Sequence, residues 1–155
     1  MSVRSAGILL YRFAAGRLEV LLVHPGGPYW AHKDAASWTI PKGLCEANES
    51  PLDAAKREFR EETGFEANGS FSGRGALKQP SGKIVHAWAV EQDLDTSRLV
   101  SNTFSLEWPR GSGVINVYPE VDQGQWFGIE QAREKLLRGQ LEFVERLLRV
   151  VTRRQ

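Results

Sequence analysis

Two apolar runs near the amino terminus indicate the start of a sheet. Residues 6–13 and 18–24 are almost continuously hydrophobic, and the short stretch 14–17 separates them. Runs of this length bounded by a short break predict two strands joined by a tight turn. Because neither run alternates with polar residues, we expect the sheet to be covered on both faces.

The clearest helical pattern covers residues 51–63. Ser50 is a good amino-terminal cap, Pro51 suits the first helical position, and Gly64 is a natural stop. Apolar residues recur on one face of this segment, namely Leu52, Ala55 and Phe59. A stripe of this kind predicts a helix packed against the sheet.

The rest of the chain mixes strand and helix patterns. Further strands are predicted at 38–40, ending at Pro41, and at 71–79, 83–91, 103–108 and 125–129. Helices are predicted at 130–137 and 141–152, with Arg146, Arg149, Arg153 and Arg154 on the outer face of the second. Residues 25–37 and most of 94–114 predict loops. Strands and helices interleave without a regular rhythm, so we expect an α/β fold with a mixed β-sheet between helices, in one domain spanning 1–155.

Composition and charge narrow the function. Lys and Arg number 20 against 19 Asp and Glu, and this balance does not favour nucleic acid as a partner. The single cysteine, Cys45, cannot form an internal disulfide, and the amino terminus has no cleavable signal pattern. Apolar runs fall well short of the roughly 20 residues that cross a membrane. We therefore expect a cytoplasmic monomer or homodimer with no membrane partner.

Three glutamates crowd the carboxyl end of the predicted helix. Glu58, Glu61 and Glu62 stand at i, i+3 and i+4, so they project from one helix face. Like charges at this spacing repel, and the helix dipole disfavours anions at this end. One interpretation is a solvated face neutralised by nearby basic residues. The other is a site for a divalent cation such as Mg²⁺, which prefers oxygen ligands and bridges carboxylates to phosphate.

The spacing around these glutamates favours the cation site. The defined positions are Gly43, Glu49, Arg57-Glu58-Phe59, Glu61-Glu62 and Gly64-Phe65. This pattern resembles the Nudix box at every defined position, and the flanking strands fit the Nudix α/β/α sandwich. The resemblance implies a Nudix pyrophosphohydrolase, which hydrolyses a phosphoanhydride bond in a nucleoside diphosphate linked to another group. It also implies Mg²⁺, or Mn²⁺, as the cofactor.

The resemblance implies roles for residues within the box. Glu58, Glu61 and Glu62 are the expected metal ligands, assisted by a backbone carbonyl near Gly43. Arg57 is expected to fix the catalytic geometry by binding Glu49. Asn48 stands where many family members carry Gly. Because Asn tolerates left-handed backbone angles better than other side chains, we expect the turn to survive.

A further carboxylate is expected from the loop before the last strand. The resemblance favours Glu120 as an additional metal ligand or base, with Glu107 and Asp122 as competitors. The sequence leaves open whether this residue or a helix glutamate accepts a proton from the attacking water.

Substrate choice rests on weaker signals. Pro41-Lys42-Gly43 resembles the entry to the box in asymmetrical diadenosine tetraphosphate and diphosphoinositol phosphate hydrolases, and Lys42 is a candidate phosphate contact. Lys83 opens a segment that resembles the same branch. Trp30, Tyr29 and Tyr118 are candidate platforms for stacking a base, and packing within its loop is an equal alternative for Trp30. Pro80, 15 residues after Phe65, resembles instead a spacing of ADP-ribose hydrolases.

Several functions therefore remain open. Dinucleoside polyphosphates and nucleoside triphosphates are the preferred nucleotide substrates, with ADP-ribose and diphosphoinositol phosphates as alternatives. A Nudix domain that senses a nucleotide without turnover is a second class, and a non-hydrolytic use of the fold, such as isomerase chemistry, is a third. The intact helix carboxylates and Arg57 favour the enzyme.

Overall fold

A computed structural model describes residues 3–152, so the predicted outer arginines Arg153 and Arg154 lie outside the described part. Its strands are β1 (Arg4–Ala14), β2 (Arg17–Pro25), β3 (Lys42–Leu44), β4 (Ser72–Lys78), β5 (Ile84–Glu91), β6 (Thr103–Glu107), β7 (Ile115–Pro119) and β8 (Val121–Gly128). Its α-helices are α1 (Pro51–Thr63), α2 (Ile129–Lys135) and α3 (Leu141–Thr152). Single 3₁₀ turns cover Thr96–Arg98 and Arg138–Gln140.

The main sheet is mixed, as predicted. Its strand order is β4-β5-β1-β2-β8, and β3 adds to β1. Strands β1 and β5 run parallel, whereas the other paired strands of this sheet run antiparallel. One edge of β1 is shared, because β3 pairs with residues 5–7 and β2 with residues 11–14.

Helices cover both faces of this sheet. Successive residues of β1 alternate between the two faces: Ile8 and Leu10 pack with Phe59 of α1, and Leu9 packs with Phe143 of α3. All of these side chains are fully buried. The predicted α/β/α layering and the double coverage of the sheet are confirmed.

Local signals explain the bounds of α1. The Ser50 hydroxyl accepts a hydrogen bond from the backbone N–H of Asp53 at 3.2 Å, which satisfies one free donor of the first turn. At the other end Gly64 adopts the left-handed conformation, with φ of 78°. The predicted range 51–63 is confirmed.

The strand predicted at 38–40 is wrong. Trp38 and Thr39 form only isolated bridges, to Leu136 and Val23, and the strand begins after Pro41. The Pro41 carbonyl accepts a hydrogen bond from the Ile8 N–H at 3.1 Å and leads the chain into β3. A strand of three residues is too short to show a hydrophobic period, so its position could not be read from the pattern.

The second half of the chain contains two more differences. Strand β6 confirms the short strand predicted at 103–108, but its partner β7 was not predicted. Residues Ile115 and Val117 of β7 are more than 60% exposed, so they do not follow a burial pattern. Strand β8 also starts earlier than the predicted residue 125. The sequence pattern missed this start, because an irregular register at the first residues of β8 interrupts the alternation.

No helix in the described range combines the length and the apolar character needed to cross a membrane.

Candidate active site

Arg57 is the centre of a network on the polar face of α1. Its Nη1 donates to Glu58 at 2.8 Å and to Glu61 at 3.1 Å. Its Nε and Nη2 bind both oxygens of Glu49, at 2.9 and 3.0 Å, and Nη2 also donates to the Leu44 carbonyl at 2.9 Å. The predicted Glu49–Arg57 anchor is confirmed, and it ties the loop before α1 to the helix.

The same loop contains the left-handed residue that the sequence predicted. Asn48 has a φ of 67°, in the region that Asn tolerates better than other side chains. The turn therefore forms without a glycine, and it delivers Glu49 to Arg57.

Strand β3 brings its backbone against the glutamates of α1. A Cβ at Gly43 would lie 2.0 Å from the carboxyl carbon of Glu58, so a larger residue here would displace this carboxylate. The Lys42 N–H donates to the Glu62 carboxylate at 3.1 Å. Two of the helix glutamates are thus held against β3.

Glu120 is the candidate loop carboxylate that faces α1. It lies between β7 and β8, and its charge contributes to the electrostatics of Glu58 and Glu62. The two alternative candidates for this carboxylate, Glu107 and Asp122, bind other groups. Glu107 accepts hydrogen bonds from the N–H groups of Gly111 and Gly113, and Asp122 binds His24.

Burial and nearby negative charges raise the pKa of three glutamates, Glu58, Glu62 and Glu120. Burial raises the pKa of Glu58, and the Glu61 and Glu120 charges raise it further, against the lowering effect of Arg57. Burial also raises the pKa of Glu62 and of Glu120. Close negative charges in a partly desolvated site favour protonation unless a cation is present.

The donor set has the chemistry of a hard-cation site. It consists of carboxylate oxygens from α1 and from the loop before β8, which is what Mg²⁺ and Mn²⁺ prefer. Among residues 3–152, no three His, Cys, Asp or Glu side chains are grouped so that they could hold a metal ion by themselves. Mg²⁺ does not require such a group, since it commonly keeps several waters and takes one or two carboxylates together with substrate phosphate. The residues therefore fit such an ion.

The predicted substrate-binding residues occupy different places. Lys42 is half-buried beside Glu62, burial lowers the pKa of its ammonium group, and the charge of Lys83 lowers it further. Trp30 is half-buried in the loop before β3, with the Lys33 ammonium 5.0 Å from its ring centre. Tyr118 packs on Phe104 within the β6–β7 sheet, at 5.9 Å between ring centres. The two lysines lie close to one another, whereas the contacts of the two aromatic residues are with their own surroundings.

Sequence reasoning missed the polar contacts around His24. This histidine is 6% exposed and binds Asp122 and the Lys33 carbonyl. A cavity of about 350 Å³ runs from Glu62 past Ser101 and Asp122. The feature of the sequence that could have pointed to His24 is its position directly before Pro25-Gly26-Gly27, at the end of an apolar strand.

Curated relatives share part of this sequence. The asymmetrical bis(5'-nucleosyl)-tetraphosphatase of Caenorhabditis elegans is 39% identical over 62 residues, 40% of this chain and 41% of that protein. The RNA pyrophosphohydrolase of Bartonella henselae is 38% identical over 66 residues, 40% of this chain and 35% of that protein. The matched regions span less than half of either relative.

Solved structures share the fold across nearly the whole chain. A C. elegans Ap4A hydrolase in a binary complex superposes with a TM-score of 0.68 and 20% identity, over 96% of this chain and 98% of that one. The NUDIX domain of Shewanella oneidensis NrtR, complexed with ADP ribose, gives a TM-score of 0.69 and 13% identity, over 97% and 89%. The family model of the NUDIX domain matches residues 1–147. With this match, the fold and the complete box, the chain belongs to the Nudix family.

Proposed function

We propose that this protein is a Nudix pyrophosphohydrolase that cleaves a phosphoanhydride bond with the help of a divalent cation. The observation that carries the proposal is that Arg57 binds Glu58 and Glu61, while Glu120 lies near enough for its charge to raise the pKa of Glu58 and Glu62. This arrangement supports hydrolysis rather than nucleotide sensing, because a sensor has no need to keep every carboxylate and the arginine that orients them.

The proposed ligands of the cation are Glu58, Glu61, Glu62 and Glu120, with a carbonyl near Gly43. When bound, the cation would neutralise phosphate charge and lower the pKa of a coordinated water. Arg57 holds Glu58 and Glu61 in place, which reduces the reorganisation needed when substrate arrives. The raised pKa of Glu120 suits a carboxylate that takes up a proton, so it and the helix glutamates are the candidate bases.

The proposed substrates are dinucleoside polyphosphates or nucleoside triphosphates. The similarity to the asymmetrical bis(5'-nucleosyl)-tetraphosphatase supports the first class. Lys42 and Lys83 add positive charge beside the carboxylates, which suits a long phosphate chain. Pro80 lies in the turn between β4 and β5, where the Gln79 N–H donates to the Lys83 carbonyl at 2.7 Å. This turn accounts for Pro80 without ADP-ribose.

The proposal also includes the identity of the ion, the residues that contact the base, the compartment and the oligomeric state. Mg²⁺ is the expected ion, with Mn²⁺ as a substitute. Trp30 and Tyr118 are proposed base contacts. The single cysteine favours a reducing compartment such as the cytoplasm, and a monomer or homodimer is expected.

A substrate panel tests the proposal. It contains diadenosine tetraphosphate, common and oxidised triphosphates, ADP-ribose, a diphosphoinositol phosphate and a 5'-triphosphorylated RNA. Each is incubated with Mg²⁺ and then with EDTA, and the products are separated by chromatography. We expect cleavage of diadenosine tetraphosphate or a triphosphate that stops with EDTA. A folded protein that binds a nucleotide but cleaves no member would overturn the enzyme in favour of the sensor.

Matched variants then test the site. Glu58→Gln and Glu62→Gln remove one charge each and should abolish hydrolysis with little effect on folding. Glu66→Gln is the control, because Glu66 is exposed and pairs with the exposed Arg60 just beyond α1. Normal turnover in both Glu58→Gln and Glu62→Gln would remove the metal assignment.

A further inference from the structure

His24 is a buried histidine that contacts an acceptor with each ring nitrogen. Its Nδ1 lies 2.8 Å from a carboxylate oxygen of Asp122, and its Nε2 lies 2.7 Å from the Lys33 carbonyl oxygen. Both partners are hydrogen-bond acceptors, so either ring nitrogen can donate to the atom that it faces. Its ring also packs against Trp38 in an edge-to-face arrangement, at 5.2 Å between ring centres. His24 therefore joins two segments through the two nitrogens of one ring.

The first segment is the start of β8, where Asp122 is the extra residue of a bulge. His24 pairs with Gln123 and Pro25 pairs with Val121, so Asp122 has no partner on β2. In regular alternation Asp122 would share a face with Gly124 and Trp126, and Trp126 packs toward α1. The bulge turns Asp122 toward His24 instead. Bulges of this kind re-aim side chains beside functional sites.

The residues after His24 fix the chain on either side of this bulge. The Gly26 N–H donates to the Glu120 carbonyl at 2.9 Å. A Cβ at Gly26 would lie 1.9 Å from the Pro119 carbonyl oxygen, and one at Gly27 would lie 2.8 Å from the Phe104 ring. This close fit couples the end of β2 to the segment that carries Glu120.

The second segment is the loop that carries Trp30. His24 binds it through the Lys33 carbonyl, and Lys33 in turn lies over the Trp30 ring. The far end of the loop is bound to α2, since Asp34 pairs with Lys135 and accepts a hydrogen bond from the Trp38 indole at 2.9 Å. His24 thus links the middle of this loop to β8.

We infer that His24 is a positioning residue that acts in two directions: through Asp122 it holds Glu120 toward α1, and through the Lys33 carbonyl it holds the Trp30 loop. This inference rests on the proposed function, because it assigns a catalytic use to Glu120 and a substrate use to the loop. We therefore expect the hydrogen bond to Asp122 to affect kcat and the hydrogen bond to the Lys33 carbonyl to affect KM.

Two conservative variants separate these bonds. The amide of Asn reaches about as far as Nδ1, so His24→Asn keeps a donor for Asp122 and loses the one for Lys33. The amide of Gln reaches about as far as Nε2, so His24→Gln does the reverse. We expect His24→Gln to lower kcat by about 10- to 100-fold with little change in KM, since small misplacements at a site cost rates of this order. We expect His24→Asn to retain kcat and raise KM.

Amide hydrogen exchange gives a readout that does not depend on turnover. Exchange at the Gly26 N–H, which binds the Glu120 carbonyl, should accelerate in His24→Gln and stay near the wild-type rate in His24→Asn. His32→Asn is the control, because His32 is an exposed histidine in the same loop. Its kinetics and exchange should match the wild-type protein.

The outcomes separate this inference from the proposed function. Opposite kcat and KM effects in the two variants, with matching exchange, support it. Parallel losses in both variants that follow their melting temperatures would show a merely structural histidine and overturn it, as would wild-type kinetics and exchange in both. A wild-type protein that hydrolyses nothing removes the proposed function, and the Gly26 exchange pattern then decides whether His24 still holds the Glu120 segment.

Discussion

At the scale of single residues, the site depends on the planar guanidinium of Arg57. Its donors bind Glu49, Glu58 and Glu61 in fixed directions, two of them to the same carboxylate. An ammonium group has a similar charge but cannot present donors along these separate directions. Arg57 therefore orients the carboxylates through the directions of its donors as well as through its positive charge.

Replacing Arg57 with lysine tests this distinction. Because Arg57→Lys keeps the charge but loses the bidentate bond to Glu49, we expect activity and metal affinity to fall by about 10- to 100-fold. Initial rates measured across a Mg²⁺ titration will show the change. Arg60→Lys is the control on the exposed side of α1. An unchanged Mg²⁺ dependence in Arg57→Lys would contradict the assigned role.

Gly43 makes a second prediction at this scale. Gly43→Ala places a methyl group 2.0 Å from the Glu58 carboxyl carbon, so Glu58 must move. We expect hydrolysis to be lost while most of the fold remains, as measured by product release and circular dichroism. In Gly73→Ala the added Cβ meets only the Trp88 ring, at 3.8 Å, so this variant should behave like the wild-type protein. Full activity in Gly43→Ala would show that the carboxylate has room.

At the scale of elements, the features with local signals were the predictable ones. The bounds of α1 follow from Ser50, Pro51 and Gly64, all within the helix or next to it. Strand β3 has no such signal, because its position depends on the close approach of Lys42 to Gly7 of β1. The earlier start of β8 depends on the bulge at Asp122, which only its pairing with β2 reveals.

In the site, too, the residues with local signals were predictable. The box residues could be placed because their spacing along one helix is fixed by the helical period. Glu120 could be proposed from its position before the last strand. The His24–Asp122 contact could not, since it joins residues 98 positions apart and each has an ordinary surface interpretation on its own.

A buried polar contact binds the segment between β2 and β3 to the 3₁₀ turn before α3. We expect this contact to contribute to the stability of the fold. Gln140 is 1% exposed, and its carbonyl oxygen accepts a hydrogen bond from the Ile40 N–H at 3.0 Å. Gln140→Leu leaves that buried donor without a partner, so we expect the free energy of unfolding to fall by about 1–3 kcal/mol. Urea denaturation measures the change.

The control for this change is Gln131→Leu, at an exposed position of α2. It should alter the free energy of unfolding by no more than about 0.5 kcal/mol. Equal stability of Gln140→Leu and the wild-type protein would mean that the buried contact contributes nothing.

At the scale of the whole molecule, ligand binding and stability are linked. A cation that binds the folded chain and not the unfolded one stabilises the protein, by about 2.7 kcal/mol at a hundred times its Kd. We therefore expect Mg²⁺ to raise the melting temperature of the wild-type protein but not of Glu58→Gln, in differential scanning fluorimetry. Glu66→Gln should keep the shift. The same shift in Glu58→Gln would place the ion elsewhere.

The free energy of unfolding should also depend on pH through the contact between Glu49 and Arg57. Hydrogen bonds from Arg57 lower the pKa of Glu49 below its ordinary value. A carboxyl group with a lower pKa in the folded chain stabilises the fold above its unfolded pKa, and this contribution disappears as the pH falls through the folded pKa. Glu49→Gln should therefore lose stability at neutral pH and become equal to the wild-type protein in acid. Parallel stability curves for the two proteins would contradict this account.

The parallel pairing of β1 with β5 has a consequence for how the chain reaches this structure. Arg4 pairs with Ile84, so roughly eighty residues must be enclosed before the centre of the sheet can form. All of α1 lies inside that loop. Closing a long loop slows folding, because its entropy is lost before the distant contacts form. The central strands and α1, with its carboxylates, should thus gain protection together in a late, cooperative step of folding.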